Sequence, residues 1–210
     1  QGFSGVTVET SYVSRLRAYL MEAELDVELF SSALEGIDTS YAVRRFNRMV
    51  TAHEPDLVLI MLGLNDAQPP SSRPPAAPEQ YQQNLLGLID RVLAIEARPL
   101  LACPSPRFSL DALDMAGENI MAPYAAAARQ AADHYQIPCL DVFSHLMEHG
   151  DLSQLIPDGV HPQAEGHRLI ADLFAESLIP MLGGRSIVPT ENQANHQPAS
   201  TVSHAANNEN

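Results

Sequence analysis

Apolar residues recur along this chain at two alternating periods. Between Ser11 and Ala23, the residues Val13, Leu16, Leu20 and Ala23 fall at helical spacing. The pattern then predicts a short strand around Val27–Phe30, a loop holding Gly36, and a helix through Val43, Phe46 and Val50 with arginines on its outer face. Leu57–Leu62 is apolar at every position, as expected of a parallel strand covered on both sides. A Pro- and Ser-rich loop spans Pro69–Pro78, and a helix over Glu79–Ala97 lines up Leu85, Leu88, Ile89 and Val92. Pro99–Cys103 reads as the next strand, Pro123–Tyr135 as an Ala-rich helix, and Ile137–Val142 as a short last strand. After a polar loop, Gln163–Leu182 gives an amphipathic helix stopped by Gly183 and Gly184. Strand and helix alternating in this way predict an α/β fold built on a parallel sheet. The periodic region makes one domain over residues 1–184. Residues 185–210 are polar and aperiodic, which predicts a disordered tail.

Charge narrows the function classes. Twelve basic against twenty-six acidic residues leave a net charge of −14, which repels nucleic-acid phosphates and anionic lipid surfaces. All basic residues are Arg; the absence of Lys excludes a Walker-type phosphate lysine, a Schiff base and a Ser-Lys dyad. No apolar run reaches bilayer length. Cys103 and Cys139 are too few for a disulfide scaffold; they sit on strands expected to be neighbours and read as free thiols. His145 and His149 share a helix face at i,i+4, but no third metal ligand is spaced to join them, so a solvated face is expected and no metal is assigned. His167 reads as a surface residue, and Arg44, Arg45 and Arg48 as partners in intramolecular ion pairs.

Two polar clusters flank predicted strands and helices where open α/β sheets place their ligands. Gly63-Leu-Asn-Asp66 directly follows the most apolar strand. Its bland reading is an Asx-turn, which suits Asp66 better than Asn65. Asp158-Gly-Val-His-Pro162 directly precedes the last helix. There the Asp could merely cap the helix. With Gly between and Pro after, however, the chain can also bend so that the Asp158 carboxylate meets Nδ1 of His161, leaving Nε2 as a general base.

In this order, the two clusters resemble the SGNH (GDSL-type) hydrolases, a family of esterases, lipases and acylhydrolases. Gly63–Asp66 matches the family's G-x-N-D block and Asp158–His161 its D-x-x-H block, while Ser31–Gly36 is similar to a degraded second block with Ser31 and Ala33 in place of Asn and Gly. The resemblance covers roughly Gln1–Leu182 and implies a three-layer α/β/α sandwich with strand order 2-1-3-4-5, a flavodoxin-like arrangement. It implies acyl transfer through a Ser-His-Asp triad, with His161 as base, Asp158 as its orienter, and Asn65 and the Ala33 backbone N–H as oxyanion donors. No cofactor is implied, and the expected partner is a small-molecule ester.

The Gly-Asp-Ser block that carries the nucleophile in this family has no counterpart here. Ser4 is the one candidate in reach, but no apolar strand leads into it. The expectation is that the serine, and the first strand ending in it, lie upstream of Gln1 and that the printed chain alone is inactive. The rival expectation is a non-catalytic module of the same fold. The altered second block favours it and the Asp158/His161 pair opposes it.

Overall fold

A strand buried on both faces must be covered from two sides, and the helices of this chain divide to do so. The computed structural model describes residues 6–67, 74–108 and 119–184. Ser4, residues 68–73 and 109–118, and the predicted tail lie outside them. Three parallel strands, β1 (Leu57–Met61), β2 (Arg98–Ala102) and β3 (Cys139–Leu140), form a sheet in the order β1-β2-β3. Leu57 pairs with Arg98 through to Met61 with Ala102, and Leu101 pairs with Cys139.

Helices α2 (Thr39–Met49), α4 (Pro78–Ala94) and α5 (Ala122–Tyr135) cover one face, where Phe46, Leu85, Ile89 and Leu101 share a core. Helices α1 (Tyr12–Glu22), α6 (Val142–Glu148), α7 (Leu152–Leu155) and α8 (Ala164–Met181) cover the other, where Leu16, Leu100, Phe174 and Leu178 pack. Helix α3 (Leu64–Ala67) is a single turn at the end of β1. The α/β/α layering and parallel sheet therefore agree with the fold class predicted. Among the described residues no helix is long and apolar enough to cross a membrane.

Local signals set several boundaries. The Ser11 side chain accepts from the Ser14 N–H to start α1, and the Asp38 side chain accepts from the Tyr41 N–H to start α2. The end of α8 is closed by Gly183, at φ 86°, and by the Gly184 N–H donating to the Ile179 carbonyl.

Four expectations need correction. Residues 27–30 join no ladder; between this segment and β1 lies a cleft, so the partner that would make it a strand is not adjacent. The last strand ends at Leu140, because Asp141 caps α6 by accepting from the Ser144 N–H. The polar loop after it holds α6 and α7, whose shortness hid their periodicity. The arginines Arg44, Arg45 and Arg48 are exposed and make no ion pair among the described residues.

Two histidines also depart from expectation. The His145 Nε2 is buried, its ring stacks on exposed His149 with centroids 4.2 Å apart, and burial followed by the His149 charge lowers its pKa. No third ligand joins the pair among the described residues. His167 is not a surface residue. Its Nδ1 accepts from the Tyr12 N–H at 3.0 Å and its ring stacks on Tyr12, so it docks α1 onto α8. The same helices are tied by Tyr19 donating to Asp172, which also pairs with Arg168.

Burial, reinforced by the Arg15 charge, pushes the His167 pKa from its ordinary 6.5 down to about 4. The unfolded chain therefore binds a proton near pH 6.5 that the folded chain refuses until about pH 4. Stability should fall as pH drops through that window. Urea midpoints at pH 7 and pH 4.5 measure the loss, and His167→Gln should make the difference smaller; an unchanged difference would refute this role.

Candidate active site

The carboxyl end of β1 turns sharply at Gly63, whose φ is 135°. A Cβ there would lie 3.1 Å from Pro104 and 3.2 Å from the Tyr81 hydroxyl, so both conformation and space call for glycine. The Tyr81 hydroxyl donates to the Leu62 carbonyl at 2.9 Å and fixes this end of the strand. The turn of α3 then projects Asn65 and Asp66 in different directions.

Asn65 Nδ2 donates to the Ile37 carbonyl at 2.8 Å. An amide nitrogen carries two hydrogens, so this bond orients the group and leaves its second donor for another acceptor. Ala33 and Asn65 both line the cleft beside β1. Ala33 has no positive φ, so the glycine of the family pattern is not required by the backbone there.

Asp66 is 2% exposed. Its carboxylate accepts from the Thr39 N–H and the Thr39 hydroxyl, and Asn84 Nδ2 donates to the same hydroxyl at 2.8 Å. Burial raises the Asp66 pKa, against the Thr39 hydrogen bonds that lower it. An anionic acceptor at the first N–H of α2 also suits the helix dipole. Sequence reading treated Asp66 as structural, in keeping with this, but did not join it to Thr39 and Asn84. The Asp38-Thr39-Ser40 capping run was the available signal.

The second cluster lies before α8. Gly159, at φ 80°, lets the loop fold back so that Asp158 Oδ1 accepts from the N–H groups of Val160 and His161 at 2.9 and 2.7 Å. Asp158 Oδ2 lies 2.8 Å from His161 Nδ1. A carboxylate only accepts, so Nδ1 carries the proton and Nε2 is the basic nitrogen of the neutral ring. Burial raises the Asp158 pKa, but the two backbone N–H groups and the imidazole outweigh it and hold the carboxyl below its usual range.

One segment connects the clusters. Pro104 abuts Gly63, and the Phe108 N–H donates to the Gly159 carbonyl at 3.0 Å. Four residues span at most about 14 Å, so both clusters sit at the same end of the sheet. This tether carries no motif and was not found in the sequence.

The cleft has a volume of about 1120 Å³ and runs along the edge of β1 that faces away from β2. Leu16 and Phe174 from one helical layer and Ala42 and Phe46 from the other line it, together with Asn65 and Pro104. Four of the five β1 residues are consequently only half-buried, whereas four of the five in β2 are buried.

Asp66→Ala should strip two buried donors of their acceptor and cost about 1–3 kcal/mol. Thr39→Val removes one of those contacts and should cost less. Urea denaturation measures both; an Asp66→Ala loss near zero would sink the anchoring role.

Comparison with known proteins gives consistent matches. The GDSL-like Lipase/Acylhydrolase family profile matches residues 1–169. An arylesterase of Vibrio mimicus is 26% identical over 176 residues, covering 83% of this chain and 82% of that protein. The thioesterase 1/protease 1/lysophospholipase L1 of Escherichia coli is 27% identical over 154 residues, covering 72% and 67%. Among solved structures, LAE5, an α/β hydrolase from the metagenome of Lake Arreo, superposes with a TM-score of 0.69 at 25% identity, covering 80% of each chain. The acetylxylan esterase Axe2 of Geobacillus stearothermophilus, in a catalytic mutant, superposes with a TM-score of 0.70 at 20% identity, again covering 80% of each.

Proposed function

The chain belongs to the GDSL-like lipase/acylhydrolase family, which makes it an ester-hydrolysing enzyme, and from that premise we propose that Asp158, His161, Asn65 and Ala33 form its acyl-transfer site. The observation that carries this reading is the 2.8 Å contact of Asp158 with His161 Nδ1, on a loop tethered by Phe108 to the Pro104 contact with Gly63. The catalytic mutants of Axe2 add support: they replace a serine, an aspartate and a histidine, the last two three positions apart, as Asp158 and His161 are.

In this mechanism a serine hydroxyl attacks the acyl carbon of a small-molecule ester, and His161 Nε2 takes its proton. The ionised Asp158 carboxylate holds the ring and stabilises the imidazolium that forms. Negative charge develops on the carbonyl oxygen, where the second hydrogen of Asn65 Nδ2 and the backbone N–H of Ala33 would receive it. The Ile37 contact fixes Asn65 beforehand, so little reorganisation accompanies the reaction. The imidazolium then protonates the departing alcohol, and water repeats the sequence on the acyl-enzyme.

The serine of this proposal stands at the carboxyl end of an extended strand upstream of Gln1, seated in the cleft. The edge of β1 supports this. Its backbone groups on that side make no ladder among the described residues, and Leu16 and Phe174 on one wall and Ala42 and Phe46 on the other offer it apolar side chains. A strand there would pair with β1, end beside Gly63 and face Asn65. Ser32 is poorly suited to the role, because its hydroxyl donates to the Met49 carbonyl.

The chain extended by an apolar strand ending in Gly-Asp-Ser should hydrolyse p-nitrophenyl acetate or butyrate. His161→Ala in that protein should lower kcat by on the order of 10⁴-fold or more with the melting temperature little changed. Activity that survives His161→Ala would overturn the assignment. A folded protein with no turnover would favour the non-catalytic reading, for which the altered second block with Ser31 and Ala33 is the argument.

A further inference from the structure

Outside the site described above, two sulfurs meet in the core. Cys103 immediately follows β2, and Cys139 opens β3, the neighbouring strand. The register pairs Leu101 with Cys139, and the Cys103 N–H donates to the Leu140 carbonyl. Side chains two positions apart on a strand share a face, so Cys103 and Cys139 both point toward α5. Their Sγ atoms are 3.7 Å apart. A disulfide needs about 2.05 Å, so the sulfurs must close by under 2 Å. Because Cys103 stands two positions beyond Leu101, the residue opposite Cys139, the ends of β2 and β3 must draw together with them.

The two thiols are not equivalent. Cys103 is buried and Cys139 only half-buried. The contact with the Cys103 sulfur lowers the Cys139 pKa, while the same contact and then burial raise that of Cys103. Arg129 Nη1 stands 3.9 Å from the Cys103 sulfur while paired with Asp141 at 2.8 Å, so a cation borders the pair.

We infer that Cys103 and Cys139 form a redox pair that a hydroperoxide closes into an intramolecular disulfide linking β2 to β3. The Cys139 thiolate attacks the O–O bond of hydrogen peroxide, forming a sulfenic acid and releasing hydroxide, which leaves as water. The Cys103 thiol gives up its proton, and its sulfur displaces hydroxide from the Cys139 sulfur, making the S–S bond and a second water. Two electrons pass from the dithiol to the peroxide. Because Pro104 follows Cys103 and abuts Gly63, the bond also anchors the segment that joins the two halves of the candidate site. The inference is independent of the esterase assignment.

The chain as it stands, reduced and then exposed to a few equivalents of hydrogen peroxide, tests this by intact mass after denaturing alkylation with N-ethylmaleimide. Expected are a loss of about 2 Da without alkylation, a Cys103–Cys139 cross-linked peptide, and a melting temperature raised by several degrees. Dithiothreitol should reverse all three. Cys103→Ser should instead accumulate a dimedone-reactive sulfenic acid at Cys139, and Cys139→Ser should oxidise several-fold more slowly. Two alkylated thiols after peroxide, oxygen adducts without the 2 Da loss, intermolecular dimers, or equal rates in the two single variants would each overturn it.

Discussion

The buried carboxylate of Asp66 is the constraint on which the site end of this molecule rests. It has almost no contact with water, burial raises its pKa, and its oxygens must find donors inside the protein. It finds them at the first turn of α2, in the Thr39 N–H and hydroxyl, and Asn84 of α4 donates to that same hydroxyl. One side chain thus fixes the end of β1, the start of α2 and one turn of α4 relative to each other. Asn65, its neighbour in sequence, inherits that placement and is directed to the Ile37 carbonyl.

Around this anchor the two halves of the candidate site have different origins. The Asn65 half is held by buried polar contacts and by a glycine that nothing larger could replace between Pro104 and Tyr81. The Asp158/His161 half is half-exposed and held by its own loop, with the carboxylate gathering two backbone N–H groups and the imidazole. The run from Pro104 to Phe108 joins them. One half is thus carried by the end of a strand and the other by a loop, and each is held by its own set of hydrogen bonds.

The cleft along β1 follows from the same layering. Parallel strands leave both faces to helices, and here the helical layers extend past β1, so their apolar residues line a space in the plane of the sheet. The half-buried β1 side chains, the unladdered segment at residues 27–30 and the exposed Phe30 all border that space.

Periodicity alone determined the α/β class, the long helices and the two longer strands β1 and β2, because apolar spacing reports which side of an element meets the core. The motifs likewise pointed to Asn65, Asp158 and His161 as candidates, and the Asp158–His161 contact was legible because turn chemistry and the Asp-to-His spacing are local properties. Position in space was another matter. The burial of His167 against Tyr12, the turning inward of His145, the Thr39–Asp66–Asn84 set and the Phe108–Gly159 tether are contacts between residues far apart in the chain or between faces of packed helices. So is the failure of residues 27–30 to become a strand: β propensity is local, but a ladder needs a partner's backbone. Only the packed structure decides which distant groups share a dry volume, and there desolvation, not propensity, sets the outcome.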